Sequence, residues 1–371
     1  MASSLTEKGL SPWRFLWATR LSRRAIRMTR SSWSRSVAQR GQTMCCPFWS
    51  MCCADAMSRG SACWKWHTIT SSLAASAPST PRIGRLLRRY ARSSTRTAWT
   101  CPSIGTTAIG APLLTDTVRQ MTAEGRHHAL AFITSAYSSY SGCRQYREDL
   151  ARARAAVGVE QAPHISILRK FYNHPGFIAA NVAHVRTAVK QVRAARRPRA
   201  NLAFTAHSIP DTMARASLYE RQLQETCRLV ADGVSMPTWR LVYQSRSGPP
   251  SRPWLEPDIC DHLRALRAVG VEDVVLAPVG FLSDHIEVRY DLDVEPKHVA
   301  EELGQHVVRA ATAGTHPAFI AMLRDLVLER LAAGAASADR PAFGLQGPSH
   351  DICPVDCCLP VYGQPATLAA V

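Results

Sequence analysis

The chain has 371 residues, enough for two domains of ordinary size, each with its own buried core. Its net charge of +17 points at first to a polyanionic partner, but residues 1–100 hold 17 of the 45 Lys and Arg against only Glu7 and Asp55, a local balance of +15. The remaining residues balance to +2 and give no support for a nucleic-acid partner, and no apolar run reaches the roughly 18 to 20 residues of a membrane-spanning helix.

The first hundred residues also carry seven of the nine Trp and five of the twelve Cys, with no helical or alternating period. They predict neither a globular domain nor a secretory signal, because the Arg-dense start lacks an apolar core. An Arg/Ser-rich transit peptide would not run on for a hundred residues. The chain reads as cytoplasmic.

From about residue 111 the text changes. Taken in order, it predicts a strand at Ala129–Ser135, a helix at Tyr146–Val157, a strand at His164–Leu168 and a helix at Pro175–Ala195. A strand at Asn201–Thr205, a helix at Leu218–Asp232 and a strand at Arg240–Gln244 come after these. Then come a helix at Asp258–Val269, a strand at Asp273–Pro278 and a helix at His316–Ala332. Such alternation predicts a doubly wound α/β architecture with a parallel sheet, whose ligands bind beyond the carboxyl ends of the strands.

Three segments end strands there. In Phe204-Thr-Ala-His-Ser-Ile-Pro210, His207 lies just past an apolar strand, where a neutral imidazole can accept a proton, hold a metal or cap a turn. Tyr243 to Asp258 opens a strand into a Pro/Gly-stiffened loop carrying Trp254, suited to the wall of a pocket for a flat apolar ligand, or to a plain connector. After Ala277-Pro-Val-Gly-Phe-Leu-Ser-Asp-His, a helix starting near Ser283 would place Glu287, Asp291 and Glu295 at i, i+4 and i+8 on one face. Like charges so spaced repel unless cations or protons visit them, so the row is either a solvated acidic face or a path for a hard divalent cation.

These three segments, TAHSIP, YQSRSGPPSRPWLEP and PVGFLSDHIEVRYDLD, resemble in order and spacing the ferrochelatases, which insert ferrous iron into a porphyrin. The resemblance runs from about residue 111 to 335. It implies two similar Rossmann-like domains around a cleft for the macrocycle, with His207 and Glu287 as a facing catalytic pair and Asp291 and Glu295 as further metal-carrying groups. It leaves open which of His207 and Glu287 is base and which is iron ligand. Tyr146, Ser138 and Ser139 fall where relatives contact the porphyrin, and Arg144 would add a charge-assisted contact.

Cys143 and the tail Cys353-Pro-Val-Asp-Cys357-Cys358 offer four thiolates, the number an iron–sulfur cluster takes, while zinc and free thiols stay open as alternatives. The set resembles bacterial ferrochelatases that carry a two-iron, two-sulfur (2Fe-2S) cluster on one internal cysteine and three near the C-terminus.

The family's opening text is missing from the printed frame. Read one base out of register, Ser34–Ser58 can encode SFGGPEGPDDVLPFLEYVLRGRNV, Ala75–Gly84 can encode VSPINAQNR, and Ala98–Gly110 can encode LDLPVYWNHRNW, all family text in family order. Residues from about 30 to 110 therefore read as a frameshifted translation, with a genuine basic extension as the alternative. The expected layout is an aberrant segment at 1–110, a remnant of the first chelatase domain at 111–160, the second domain at 161–335 and a cysteine tail at 336–371. The expected function is iron insertion into protoporphyrin IX or coproporphyrin III. A cobalt or nickel chelatase, or an inactive product retaining iron or cluster binding, is the alternative.

Overall fold

The computed structural model describes residues 14–15, 113–332 and 340–360. Most of the basic segment expected at 1–110 lies outside the described residues. The elements run β1 (Arg14–Phe15), α1 (Leu114–Ala123), β2 (His128–Ala131), a π-helical turn (Tyr140–Arg144), α2 (Gln145–Val157), β3 (His164–Ile167) and α3 (Pro175–Val189). After a 3-10 turn at Ala194–Arg199 come β4 (Asn201–His207), α4 (Asp211–Arg215), α5 (Tyr219–Val234), β5 (Trp239–Gln244) and α6 (Ile259–Ala268). The last are β6 (Asp273–Ala277), α7 (Ile286–Asp291), α8 (Glu295–Glu302), β7 (His306–Arg309) and α9 (Pro317–Leu331).

Two parallel sheets result, ordered β1-β2-β3 and β5-β4-β6-β7, as the alternation of strand and helix predicts. β3 pairs with β2 from His128↔His164 to Ala131↔Ile167, so the first sheet extends past the boundary expected at residue 160. In the second sheet, β4 is flanked by β5 (Leu202↔Trp239 to His207↔Gln244) and β6 (Asn201↔Val274 to Phe204↔Ala277).

Burial on both faces explains the apolar strands of the second sheet. Leu202, Phe204, Ala206, Leu241, Tyr243, Val275 and Ala277 point into one core with α3, α5 and α9, whereas Ala203, Val242, Val274 and Leu276 point into another with Ile259, Leu263 and Val288. Period-two alternation assigns each face. α3 ends at Val189, short of the Ala195 expected, and Pro198 sits inside the subsequent 3-10 turn, which runs to Arg199.

The order β5-β4-β6 places a topological switch point between β4 and β6, because the connections leaving these strands run to opposite sides. Gly280, just after β6, makes the approach possible. A Cβ there would lie 2.6 Å from the Ala206 backbone, and its N–H donates to the Thr205 carbonyl at 3.0 Å.

Candidate functional site

His207 closes β4 and is only 5% exposed. Its Nδ1 bonds the Ser208 carbonyl. Because that oxygen can only accept, Nδ1 carries a proton, and in the neutral ring Nε2 is the nitrogen that presents a lone pair. The ring is further fixed through its backbone, whose carbonyl accepts from the Tyr219 hydroxyl at 3.0 Å. Opposite stands Glu287, buried on α7, with Oε1 3.8 Å from His207 Nε2. The Gln244 amide donates to the Glu287 carbonyl at 2.8 Å and so ties α7 to the end of β5.

His285, which sequence reasoning missed, holds Nδ1 3.5 Å from the other Glu287 oxygen and is flanked by the Phe281 ring. Its position two residues before Glu287, on a strand-end loop, was the available signal. The helix begins at Ile286 rather than near Ser283.

The single helix expected to carry three acids is not formed. α7 ends at Asp291 and α8 starts at Glu295, with Pro296 in its first turn. Proline has no N–H to continue a helix and disfavours helical geometry in the residue before it. The acids nonetheless stay close enough to interact. Burial pushes the Asp291 carboxyl up to about 7, repulsion from Glu287, Glu295 and Asp258 adds to it, and donation from the Ser245 hydroxyl opposes it. Ser245 adopts φ 63° at the exit of β5, a left-handed conformation that aims its side chain at this carboxyl.

The neighbouring loops are braced from within. Trp254, 6% exposed, forms a bridge with Pro210 and packs on Gly248, where a Cβ would lie 2.2 Å from the indole nitrogen. Ser208 donates to the Leu255 carbonyl at 2.8 Å, so the Trp254 loop is fastened to the segment after His207. Ser138 and Ser139 are buried. Gln222 bonds both the Ser138 backbone and its hydroxyl, and Ser139 Oγ accepts the Gly142 N–H at 2.9 Å. Tyr146 is half-buried on α2.

Arg144 corrects the expectation of a ligand contact. It is 2% exposed, ion-pairs with Glu148 at 2.9 Å, and turns its guanidinium to the Val355 and Cys357 carbonyls at 2.5 and 3.2 Å.

That contact anchors a second centre. Cys143, buried in the π-helical turn, is close enough to interact with Cys353 and Cys358, and Cys357 interacts with Cys353 and lies 3.5 Å from Cys358. Four thiols separated by about 210 residues of sequence thus converge. Interaction with Cys353 and Cys358 holds Cys143 well below the usual thiol range and lowers Cys357, while Cys353 and Cys358 are pushed up. Lys170 Nζ, buried, donates to the Gly142 and Ser135 carbonyls at 2.6 and 3.0 Å and places positive charge beside the sulfurs. Arg147 reaches the Cys353 and Pro354 carbonyls at 3.3 and 3.4 Å. Four thiol donors ringed by three cations fit an anionic iron–sulfur group.

The family model named Ferrochelatase matches residues 84–331. A ferrochelatase of Rhodopirellula baltica is 51% identical over 67% of this chain and 70% of its own length. The coproporphyrin III ferrochelatases of Streptomyces griseus and Streptomyces coelicolor are each 49% identical over 70% of this chain and 74% of theirs. No helix among the described residues is long and apolar enough to cross a membrane. With this match over two thirds of its length, the chain belongs to the ferrochelatase family.

Proposed function

We propose that the chain inserts ferrous iron into coproporphyrin III, with His207 and Glu287 at the insertion centre. One observation carries the assignment of residues. A carbonyl fixes the His207 tautomer so that its Nε2 lone pair and a Glu287 oxygen, both acceptors, face each other 3.8 Å apart in a buried place. Two acceptors so placed repel unless a proton or a cation joins them. Metallation supplies both, since Fe2+ enters as two pyrrole protons leave.

In this reading His207 Nε2 takes a pyrrole proton, and Glu287, with His285 behind its second oxygen, balances the charge of the resulting imidazolium. Asp291 and Glu295 lead from the pair and carry protons or iron in opposite directions. Asp291 suits such exchange because it loses its proton near neutrality. Tyr146, Ser138 and Ser139 support the loop on the macrocycle's side of the cleft, and Trp254 holds the opposite loop in place.

Cys143, Cys353, Cys357 and Cys358 hold a two-iron, two-sulfur cluster. When bound, such a group exchanges one electron at a time. Lys170, Arg144 and Arg147 offset its negative charge, and Lys170 and Arg144 tie it to the Ser135–Gly142 loop and to α2. For the layout we propose that residues before 113 hold the rest of the first domain's place, read out of frame from about 30 to 110.

The substrate is tested by anaerobic incubation of the purified chain with Fe(II) and either porphyrin, followed by visible absorbance. Faster metallation of coproporphyrin III is expected. Faster metallation of protoporphyrin IX overturns the substrate, and faster insertion of cobalt or nickel than of iron overturns the metal.

A further inference from the structure

The cysteine centre has a donor to spare. His350 Nε2 lies 3.3 Å from Cys353 Sγ, and the donor atoms of His350, Cys353 and Cys357 all fall within 4.8 Å of one another. The imidazole is held there by its neighbours on both sides. Ser349 donates to the Lys170 carbonyl at 2.8 Å, and Arg340 bonds the Ser349 carbonyl at 2.7 Å and the Asp351 carboxylate at 3.3 Å. Arg340 is itself fixed to the buried Glu329 at 3.0 Å.

We propose that His350 is a fifth ligand of the cysteine centre, taking the place of Cys353 on a cluster iron, so that the centre has a four-cysteine form and a three-cysteine, one-histidine form. The inference rests on the reading that the four cysteines hold a two-iron, two-sulfur cluster. In the exchange the bond from iron to Cys353 Sγ breaks, a bond from iron to His350 Nε2 forms, and the released thiolate takes a proton from water. No electron is transferred. Replacing an anionic thiolate by a neutral imidazole makes the cluster one unit less negative, which raises its reduction potential, as histidine ligation does in other two-iron clusters. His350 and Cys353 are separated by two residues, so the exchange needs no movement of the tail from the body.

The test uses the full chain prepared anaerobically as wild type, Cys353→Ala, His350→Ala and the double variant. Wild type is expected to contain iron and sulfide in equal amounts. Cys353→Ala retains the cluster, shows nitrogen hyperfine coupling in pulsed EPR of the reduced form, and has a midpoint potential above that of wild type, whereas the double variant loses the cluster. Loss of the cluster from folded Cys353→Ala, or retention without nitrogen coupling, overturns the proposal. Should Cys353→Ala not fold, alkylation of the cluster-loaded wild type decides. Modification of Cys353 with the cluster retained, suppressed in His350→Ala, supports the exchange, and full protection of Cys353 overturns it. Wild type free of iron and sulfide removes the cluster reading itself, and this exchange with it.

Discussion

The charge state of Asp291 sets a pH dependence that separates activity from stability. Its carboxyl titrates at about 7 in the folded chain and near 3.9 when unfolded. The folded state binds the extra proton between these values, so this group's contribution to stability falls as pH rises from about 4 to about 7. If Asp291 lies on the path for iron, the insertion rate is expected to rise over the upper part of the same range, as the carboxylate forms. His174 and His262 act in the other direction. Burial brings both down to about 4, so their contribution is present above about 6.5 and lost as pH falls toward 4. Asp291→Asn is expected to flatten the rise of insertion rate near pH 7 and to make stability increase more steeply with pH, measured by rate profiles and urea unfolding at matched pH. An unchanged rate profile would remove Asp291 from the path.

Which residues were legible depends on how local their signal is. His207 and Glu287 stand in short, distinctive strand-end strings, and the structure brings them together. Lys170 acts through partners 28 or more residues away, and nothing in its immediate sequence announces that. Arg144 misleads for the same reason, since its partners at Val355 and Cys357 are over 200 residues distant.

At the scale of elements, strands and long helices were legible because their period matches their burial on two faces. β4, with all seven residues buried, and α5, with one apolar face, are the clearest cases. The acidic row was not, because α7 ends at Asp291 and a new helix starts at Glu295, so the i, i+4 and i+8 spacing does not run along one helix. Arg309, at the end of β7, holds both ends of α7 in place by bonding Asp284 at 3.1 Å and Asp293 at 2.8 Å.

The docking of the tail is an element-scale prediction. Arg144→Met leaves Glu148, 4% exposed, without its buried partner and removes two bonds to the tail. Loss of one member of such a pair costs on the order of 3–5 kcal/mol. We expect a lower urea midpoint and faster chymotryptic cleavage after Phe343 and Leu345, within residues 340–360. Wild-type cleavage rates would show that other contacts, such as Asn173 Nδ2 to Phe343 and Gly347, hold the tail alone.

For the whole molecule, the family match and the composition divide the chain at different places. The match begins at residue 84, whereas the excess of positive charge fills residues 1–100. The described body joins both sheets through one core, in which Leu130 and Tyr137 pack with Phe171, Phe177 and Phe204, and the Tyr137 hydroxyl donates to the Val279 carbonyl at 3.0 Å. That hydrogen bond links the first sheet's loop to the segment just after β6. The coding DNA across residues 30 to 113 is expected to place the strings SFGGPE, VSPINAQNR and RNW in one alternative frame. Codons that cannot yield them contradict the frameshift.

The central claim is that His207 and Glu287 together move protons and iron at one buried point. It is tested most directly by the rate of Fe(II) insertion into coproporphyrin III by wild type, His207→Ala and Glu287→Gln at equal folded concentration. Each variant is predicted to lose about 10²–10⁴-fold in kcat with little change in porphyrin affinity. A rate within a few-fold of wild type in either variant would contradict the account.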